Sequence, residues 1–244
     1  MLAPSAIQRM FEYLAPRYDL WNRLASFGLD AYWRRVAVRL VPPGGRILDL
    51  CTGTGELVLK MLPYLEPAGQ AVGLDFAPNM LRVATQKTRA RVRSTRVPVS
   101  YLLGDAMRLP FPANTFDGLT NGFAMRNMLP FADHALSEMW RVLRPGGRVI
   151  ILDICRPPWP ILAALYRWHL RWVLPTQAWL LYGNDQPFRY LKDSILEFPS
   201  SDEFLGWLAR HGFAEVRFRP LSAGIAGIFT GIKGPLGGST QLET

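Results

Sequence analysis

The sequence predicts a doubly wound α/β fold, and three observations lead there. Short apolar runs alternate with helical stretches and short connections, as parallel strands joined by right-handed helical crossovers do. The first run, Arg46-Ile47-Leu48-Asp49-Leu50, leads straight into a glycine turn, Cys51-Thr52-Gly53-Thr54-Gly55. Two later runs end in acids, Asp75 and Asp105, at the carboxyl edge of a parallel sheet where ligands bind.

In chain order, Pro4 to Leu14 reads as a short helix, and Leu20 to Leu40 as a second helical stretch broken near Phe27-Gly28. Tyr18, Trp21, Tyr32 and Trp33 put large amphipathic rings in this segment (residues 1–41), which is either a packed helical cap or a lid over a ligand. Pro42 to Gly45 bound the first strand, whose near-continuous apolar character is that of a buried parallel strand. Glu56 to Leu62 has the composition of a helix. Ala71 to Leu74 is a second strand, and Pro78, at home in a first helical turn, opens a helix to about Arg91. Val99 to Leu103 and Phe116 to Asn121 are strands three and four. The second of these runs into Gly122-Phe123-Ala124-Met125-Arg126-Asn127, at a strand end where ligands reach in such folds. His134 to Leu143 is a helix, Arg144 to Gly147 a turn, and Arg148 to Asp153 a fifth strand.

Residues 156–199 break the alternation with a tract of Trp159, Tyr166, Trp168, Trp172, Trp179 and Tyr182. This predicts an inserted helical subdomain, either a helix pair packed on the sheet or an apolar substrate pocket facing a membrane. Ser200 and Ser201 cap a helix to Arg210 with Asp202 and Glu203 in its first turn. Glu215 to Arg219 and Ile225 to Lys233 are the last strands. A single domain over residues 1–234 and a flexible tail over 235–244 are expected.

The glycine turn argues against a dinucleotide, because the third glycine of GxGxxG is replaced by Val58. An acid at the end of the second strand suits a ribose diol, which offers two hydroxyl donors. Asp49, inside a buried strand, needs a partner. With Asp49 before the turn and Asp75 after it, the segment reads as a nucleoside site; the plainer alternative is an ordinary α/β unit with a tight turn.

The 244 residues are 49% apolar, enough for one sizeable core. Two distant cysteines, Cys51 and Cys155, with no Cys/His cluster fit a reduced cytosolic protein without a metal. Arg9, Glu12 and Arg17 interrupt any signal-peptide core, and no uncharged run reaches the length of a spanning helix. The net charge of +9 leaves an anionic membrane surface or nucleic acid as partners, or simply an arginine-rich composition. Its densest cluster (Lys87, Arg89, Arg91, Arg93, Arg96) lacks interleaved aromatics, so nucleic acid is not expected.

These motifs resemble class I S-adenosylmethionine-dependent methyltransferases, and more closely the ubiquinone/menaquinone biosynthesis C-methyltransferase family. The resemblance runs from Phe11 to Lys233. It rests on Ala15 to Asp19 with Asn22, Ser26-Phe27-Gly28, Trp33-Arg34, Leu48 to Gly55, Asp75 to Leu81, Gly104-Asp105-Ala106 with Leu109 to Pro112, Gly122 to Asn127 and Arg141 to Gly147. The late segment Tyr190 to Ile195 with Phe198-Pro199 adds to it. Departures are Phe229, where the family tends to carry histidine, Gly122, where some members have serine, and Ala124-Met125 for Gly-Leu.

The resemblance implies a Rossmann-like sheet of seven strands, the last antiparallel, with S-adenosyl-L-methionine as methyl donor. It places Thr54 and the Gly53–Gly55 backbone at the methionine end and Asp75 at the ribose. Asp105 and the Ala106 N–H fall at the adenine, with Asp49, Phe76 and Gly122 alongside. It implies carbon methylation of a prenylated quinol, demethylmenaquinol ahead of the benzoquinol. Arg126 and Asn127 are candidates for orienting the quinol and stabilising its anion, with Tyr18 and Asp19 as a second pair. His169 stands alone in the aromatic insert. The implied location is cytoplasmic, with transient contact at the inner face of the membrane; homo-oligomerisation stays open. Alternatives are another small aromatic acceptor, RNA, or an inactive cofactor-binding scaffold of a quinone-synthesis complex.

Overall fold

In the computed structural model, which describes residues 4–91, 95–183 and 186–234, seven strands form one sheet. They are β1 (Arg46–Leu50), β2 (Gln70–Asp75), β3 (Val99–Leu103), β4 (Phe116–Gly122), β5 (Leu143–Ile154), β6 (Phe213–Leu221) and β7 (Ala226–Lys233). Their spatial order is β3-β2-β1-β4-β5-β7-β6. The ladders among β1 to β5 are parallel, whereas β7 runs antiparallel to both β5 and β6. The order reverses between β1 and β4, and the carboxyl ends flanking that switch point are the Gly53–Gly55 turn and Gly122.

Ten α-helices accompany the sheet among the described residues: α1 (Pro4–Leu14), α2 (Tyr18–Ala25), α3 (Leu29–Val38), α4 (Glu56–Leu65), α5 (Pro78–Arg91), α6 (Ala132–Val142), α7 (Pro160–Trp168), α8 (Leu174–Tyr182), α9 (Gln186–Glu197) and α10 (Ser201–Arg210). Alternation along β1 divides the core. Leu48 and Leu50 join α6 and α10 residues such as Met139 and Phe204 on one face. Ile47 joins α3 and α4 residues such as Val38, Val58 and Met61 on the other. Val58, which stands where a dinucleotide site needs glycine, is thus fully buried core.

Local chemistry explains the boundaries. Ser200 caps α10 in a capping box: its Oγ accepts from the Glu203 N–H and Glu203 Oε2 accepts from the Ser200 N–H at 2.8 Å. Ser201, expected as a cap, is the first helical residue. β5 starts earlier than expected, because Phe116 pairs with Leu143 and Gly118 with Arg148, so residues 144–147 bulge from the ladder with Gly146 at φ 78°. The tract 156–199 holds α7, a wide π turn at His169–Val173, α8 and α9. Among the described residues no helix is long and apolar enough to cross a membrane. The expected tail at 235–244 and Arg93 of the basic cluster lie outside the described residues.

Phe229 belongs to the core. Its ring meets Phe204 at 4.8 Å and Phe218 at 4.7 Å between centroids, under α10. A histidine there would need a polar partner that this aromatic cluster lacks.

Asp49 shares the α4-side face of β1 with Ile47 and is fully buried. Its two oxygens accept from the Thr52 hydroxyl at 2.5 Å and the Thr120 hydroxyl at 2.7 Å. Burial pushes its carboxyl up to about 6, against the opposing pull of the two threonines and the Arg34 charge. The native state therefore holds a proton that the unfolded chain has released between pH about 4 and 6, so this group's contribution to stability falls as pH rises through that window. The loss reaches about 3 kcal/mol above it. Asp49→Asn should accordingly gain stability relative to the parent as pH rises from 4.5 to 7.5, read from urea midpoints; a difference that stays constant across that range contradicts the linkage.

Candidate active site

Two cavities open side by side beyond the carboxyl ends of β1, β2 and β4. The larger, about 520 Å³, is walled by Thr52, Gly53 and Thr54 after β1, Asp75 and Phe76 after β2, Gly104, Asp105 and Ala106 after β3, and Gly122 to Ala124 after β4. Phe11, Tyr18 and Arg34 from the N-terminal helices roof it, and Asn127 and Met128 close the side. The glycine turn makes this approach possible. Gly53 and Gly55 have φ of 56° and 77°, and a Cβ on Gly55 would lie 2.6 Å from the Tyr101 hydroxyl.

Asp75 is buried at the cavity wall and braces the turn. One oxygen accepts from the Gly53 N–H at 2.8 Å and the other from the Ala77 N–H at 2.9 Å. Burial raises its carboxyl to about 6, with the backbone donors holding it from rising further. Asp105 is more exposed and accepts from the Met107 N–H at 2.9 Å. Of the expected cofactor residues, Gly53, Thr54, Asp75, Phe76, Asp105, Ala106 and Gly122 stand together on this wall. Asp49 and Gly55 do not: Asp49 lies a layer below, holding Thr52, and Gly55 turns toward Tyr101.

The smaller cavity, about 380 Å³, is almost wholly apolar. Trp21, Phe27, Leu29 and Trp33 of the N-terminal cap face Leu162, Leu165, Trp168 and Leu174 of the insert, with Asn22, Ser26, Asp30, Arg126, Tyr166 and His169 as polar points. Among the described residues Phe123 is the one that lines both cavities. It holds a left-handed backbone, φ 59°, that an aromatic residue adopts only under constraint, and its N–H donates to the Leu152 carbonyl at 2.7 Å.

The four residues expected to act on the acceptor separate. Tyr18 and Asn127 line the larger cavity and Arg126 the smaller. Arg126 is the second residue of a 3-10 turn (Met125–Phe131), in which successive side chains diverge. Its Nη1 donates to buried Asp153 at 2.7 Å and its backbone N–H to the same carboxylate at 3.1 Å, while its Nε is buried with no acceptor. Tyr166 is half-buried near this pair; desolvation raises its hydroxyl well above the usual range, with Arg126 opposing, so it stays protonated. Burial lowers the His169 imidazole, opposed by a backbone hydrogen bond at Ala25.

Asp19 lines neither cavity. It accepts from the Thr54 hydroxyl at 2.5 Å and pairs with Lys87 Nζ at 2.6 Å, which also pairs with Glu56 at 2.6 Å. Burial would raise Glu56, but the Lys87 hydrogen bond and charge overcome it and bring the carboxyl to about 2. Lys87, expected in a basic cluster, is thus spent inside an ion-pair network. Sequence reasoning gave no role to Arg34 or Phe123, although both fall inside recognised motifs. Their signal was position: Arg34 one helical turn after Asp30, and Phe123 directly after a strand-end glycine. Among the described residues no group of three His, Cys, Asp or Glu side chains could hold a metal ion.

Comparison with known proteins agrees with this architecture. The ubiE/COQ5 methyltransferase family model matches residues 2–233. The demethylmenaquinone methyltransferase of Thermus thermophilus is 45% identical over 226 residues, covering 91% of this chain and 99% of that protein. The ubiquinone/menaquinone biosynthesis C-methyltransferase UbiE of Geotalea daltonii is 38% identical, covering 93% and 96%. A SAM-dependent methyltransferase structure from Aquifex aeolicus superposes with a TM-score of 0.61 at 18% identity, over 96% of this chain and 100% of that one, which speaks to the fold. A sheet whose last strand is antiparallel, a glycine turn at the switch point and this match over nearly the whole chain place the protein in the ubiE/COQ5 methyltransferase family.

Proposed function

We propose that the protein methylates a ring carbon of a prenylated quinol, demethylmenaquinol before other rings, with S-adenosyl-L-methionine as donor. The single observation that carries this reading is the pair of adjoining cavities divided by Phe123, one with the carboxylates of Asp75 and Asp105 on its wall and one almost wholly apolar. The larger cavity suits the donor: its volume of about 520 Å³ takes a nucleoside with an amino-acid arm, and its wall offers Asp75 and Asp105 as acceptors. Asp75 would accept from the ribose hydroxyls, Asp105 from the adenine amino group, and the Ala106 N–H would donate to the ring. Thr54, whose hydroxyl donates to Asp19 and accepts from Lys87 Nζ at 3.4 Å, presents its backbone N–H to the methionine end.

The bound donor supplies an electrophilic methyl group on a sulfonium. What remains for this chain is to align a carbon nucleophile, exclude water and ease the loss of a phenolic proton. The apolar walls of the smaller cavity exclude water from the ring. Arg126, fixed by Asp153, holds a permanent positive charge there with an unused N–H, placed to stabilise a quinolate oxygen. Asn127 and Tyr18, on the donor side of Phe123, orient the reacting face. Asp19 acts as a positioning residue, tying α2 to the glycine turn and α5.

The acceptor's tail is insoluble, so the ring must be taken from a membrane surface. Exposed Phe27 and Trp168 line the smaller cavity, and Ile161 and Trp172 are exposed on the insert, a larger apolar collection than a soluble surface needs. Arg167 and Arg171 are exposed on the same helical stretch, where each contributes about 1 kcal/mol of attraction to anionic lipid. This supports transient docking of the insert on the membrane, with α2 and α3 as the opposite wall.

Three experiments test the reading. Purified protein should methylate demethylmenaquinol and leave the oxidised quinone untouched when reduction is prevented; equal rates on both forms sink the mechanism. In the same assay Asn127→Ala and Arg126→Lys should lower kcat by about 10²-fold, while donor affinity by calorimetry changes far less. Donor affinity itself should fall as pH drops from 7 to 5, because Asp75 accepts from two hydroxyls only when ionised and titrates near 6. Asp75→Asn should flatten that profile and weaken binding by roughly 1–3 kcal/mol; a parent profile that is already flat contradicts the role given to Asp75. Binding to sedimented liposomes should rise with anionic lipid, fall with salt, and drop in an Arg167→Glu, Arg171→Glu variant that retains donor binding. Undiminished binding by that variant excludes these arginines as the contact.

A further inference from the structure

Arg34 is the least explained charge in the molecule. Its side chain, on α3, is only 8% exposed, and its guanidinium lines the larger cavity. Its one carboxylate partner, Asp30, stands 3.6 Å from Nε, outside hydrogen-bond reach. Asp30 is itself shared, lying 3.3 Å from Arg23 Nε and accepting from the Ser26 hydroxyl. Arg34 Nε has no hydrogen-bond acceptor although it is buried. The guanidinium rests 4.7 Å from the centre of the Phe123 ring, which offers a π face and no lone pair. A buried guanidinium left short of acceptors is costly, so the site calls for an anion.

The surroundings say where that anion comes from. Among the described residues Arg34 is the one arginine or lysine lining this cavity, whereas Asp75 and Asp105 supply negative charge at the far strand ends. A Cβ on Gly122 would come within 3.8 Å of Arg34 Nη1, which puts the guanidinium at the end of β4. Its charge is also felt by Asp49 under the glycine turn and by Glu56 at the start of α4. Because the end of β4 adjoins that of β1 while β3 lies beyond β2, Arg34 stands on the Gly53–Thr54 side of the cavity, away from Asp105. A methyl-donor nucleoside has a single anionic group, the carboxylate of its amino-acid arm.

We infer that Arg34 binds the α-carboxylate of the methyl donor. This assignment rests on the donor reading above and adds the residue that recognises the amino-acid end. The planar fork of a guanidinium matches a carboxylate with two parallel N–H donors, which a lysine does not reproduce. Phe123, stacked against Arg34, then links the occupied donor site to the partition that faces the acceptor.

The test is calorimetry with two probes, S-adenosylhomocysteine and 5′-methylthioadenosine, which shares the nucleoside but lacks the amino-acid arm. Arg34→Met, with folding checked by its melting curve, should bind S-adenosylhomocysteine about 10- to 100-fold more weakly, the loss of a charge-assisted pair. Its affinity for 5′-methylthioadenosine should match the parent's. Arg34→Lys should recover only part of the loss. Unchanged binding of S-adenosylhomocysteine by Arg34→Met, or an equal loss for both probes, overturns the assignment. A ligand-side measurement on the parent protein stands apart from any folding defect: the decarboxylated analogue of S-adenosylhomocysteine should lose a comparable factor, and equal affinity for it overturns the assignment too. Failure of the parent to bind either probe defeats the donor reading itself, and this assignment with it.

Discussion

Both cavities depend on one hydrogen-bonded ion network between the N-terminal helices and the glycine turn. The sheet alone supplies only an open edge, since the turns after β1, β2, β3 and β4 form a floor and one wall. The roof is made by α1 to α3, and its contact with the floor includes the Asp19 carboxylate held by Thr54 and Lys87. Lys87 in turn reaches Glu56 at the start of α4. Three elements far apart in sequence meet at that ammonium. Because it is partly shielded from water, the pairing is worth more than a surface ion pair, and losing one member strands the others. Gln8 adds a second tie, donating to the Phe76 carbonyl at 2.6 Å.

The roof also fixes the division of labour inside. A donor with several charges needs polar walls, while a prenylated ring needs apolar ones, and one continuous cavity would serve both badly. Phe123 keeps them apart at the end of β4, where its left-handed backbone turns the chain out of the sheet. Trp33 and Arg34, neighbours on α3, flank it: Trp33 at 6.1 Å between ring centroids and Arg34 at 4.7 Å from the ring. Trp33 is anchored by its own N–H to the Ser222 hydroxyl at 2.8 Å, ahead of β7. The partition is therefore braced from the cap and from the last hairpin together.

Much of this was legible in the sequence, and the limits have physical causes. Strands of a parallel sheet are apolar along their whole length, so β1, β2 and β5 stood out, and the glycine turn with the acids after β2 and β3 located the donor floor. Adjacency in sequence misled for Arg126 and Asn127, because a 3-10 turn sends neighbouring side chains apart, one to each cavity. Asp19 looked like chemistry because it follows Tyr18, yet its role emerges only once α5 brings Lys87 beside it, 68 residues on. Pairing over such separations leaves no local pattern. Phe229, a departure from the family's histidine, lies in an aromatic core cluster and lines neither cavity.

The positive charge of the chain becomes intelligible once its members are sorted by partner. Arg126 is neutralised by Asp153, Arg141 by Glu138, and Lys87 by Asp19 and Glu56. Lys233 is buried against the Asn114 side chain and the Leu143 carbonyl, each at 2.8 Å. These cations sit inside the fold and are not available to a membrane surface or to nucleic acid. Arg167 and Arg171 differ: they are exposed, sit among uncovered tryptophans, and Arg171 lies 5.7 Å from the Trp172 ring. The same stretch supplies Trp168 to the mouth of the apolar cavity. Charge, aromatic surface and cavity entrance therefore coincide on one element, and a surface that draws the protein to lipid would present the acceptor pocket to it in the same orientation.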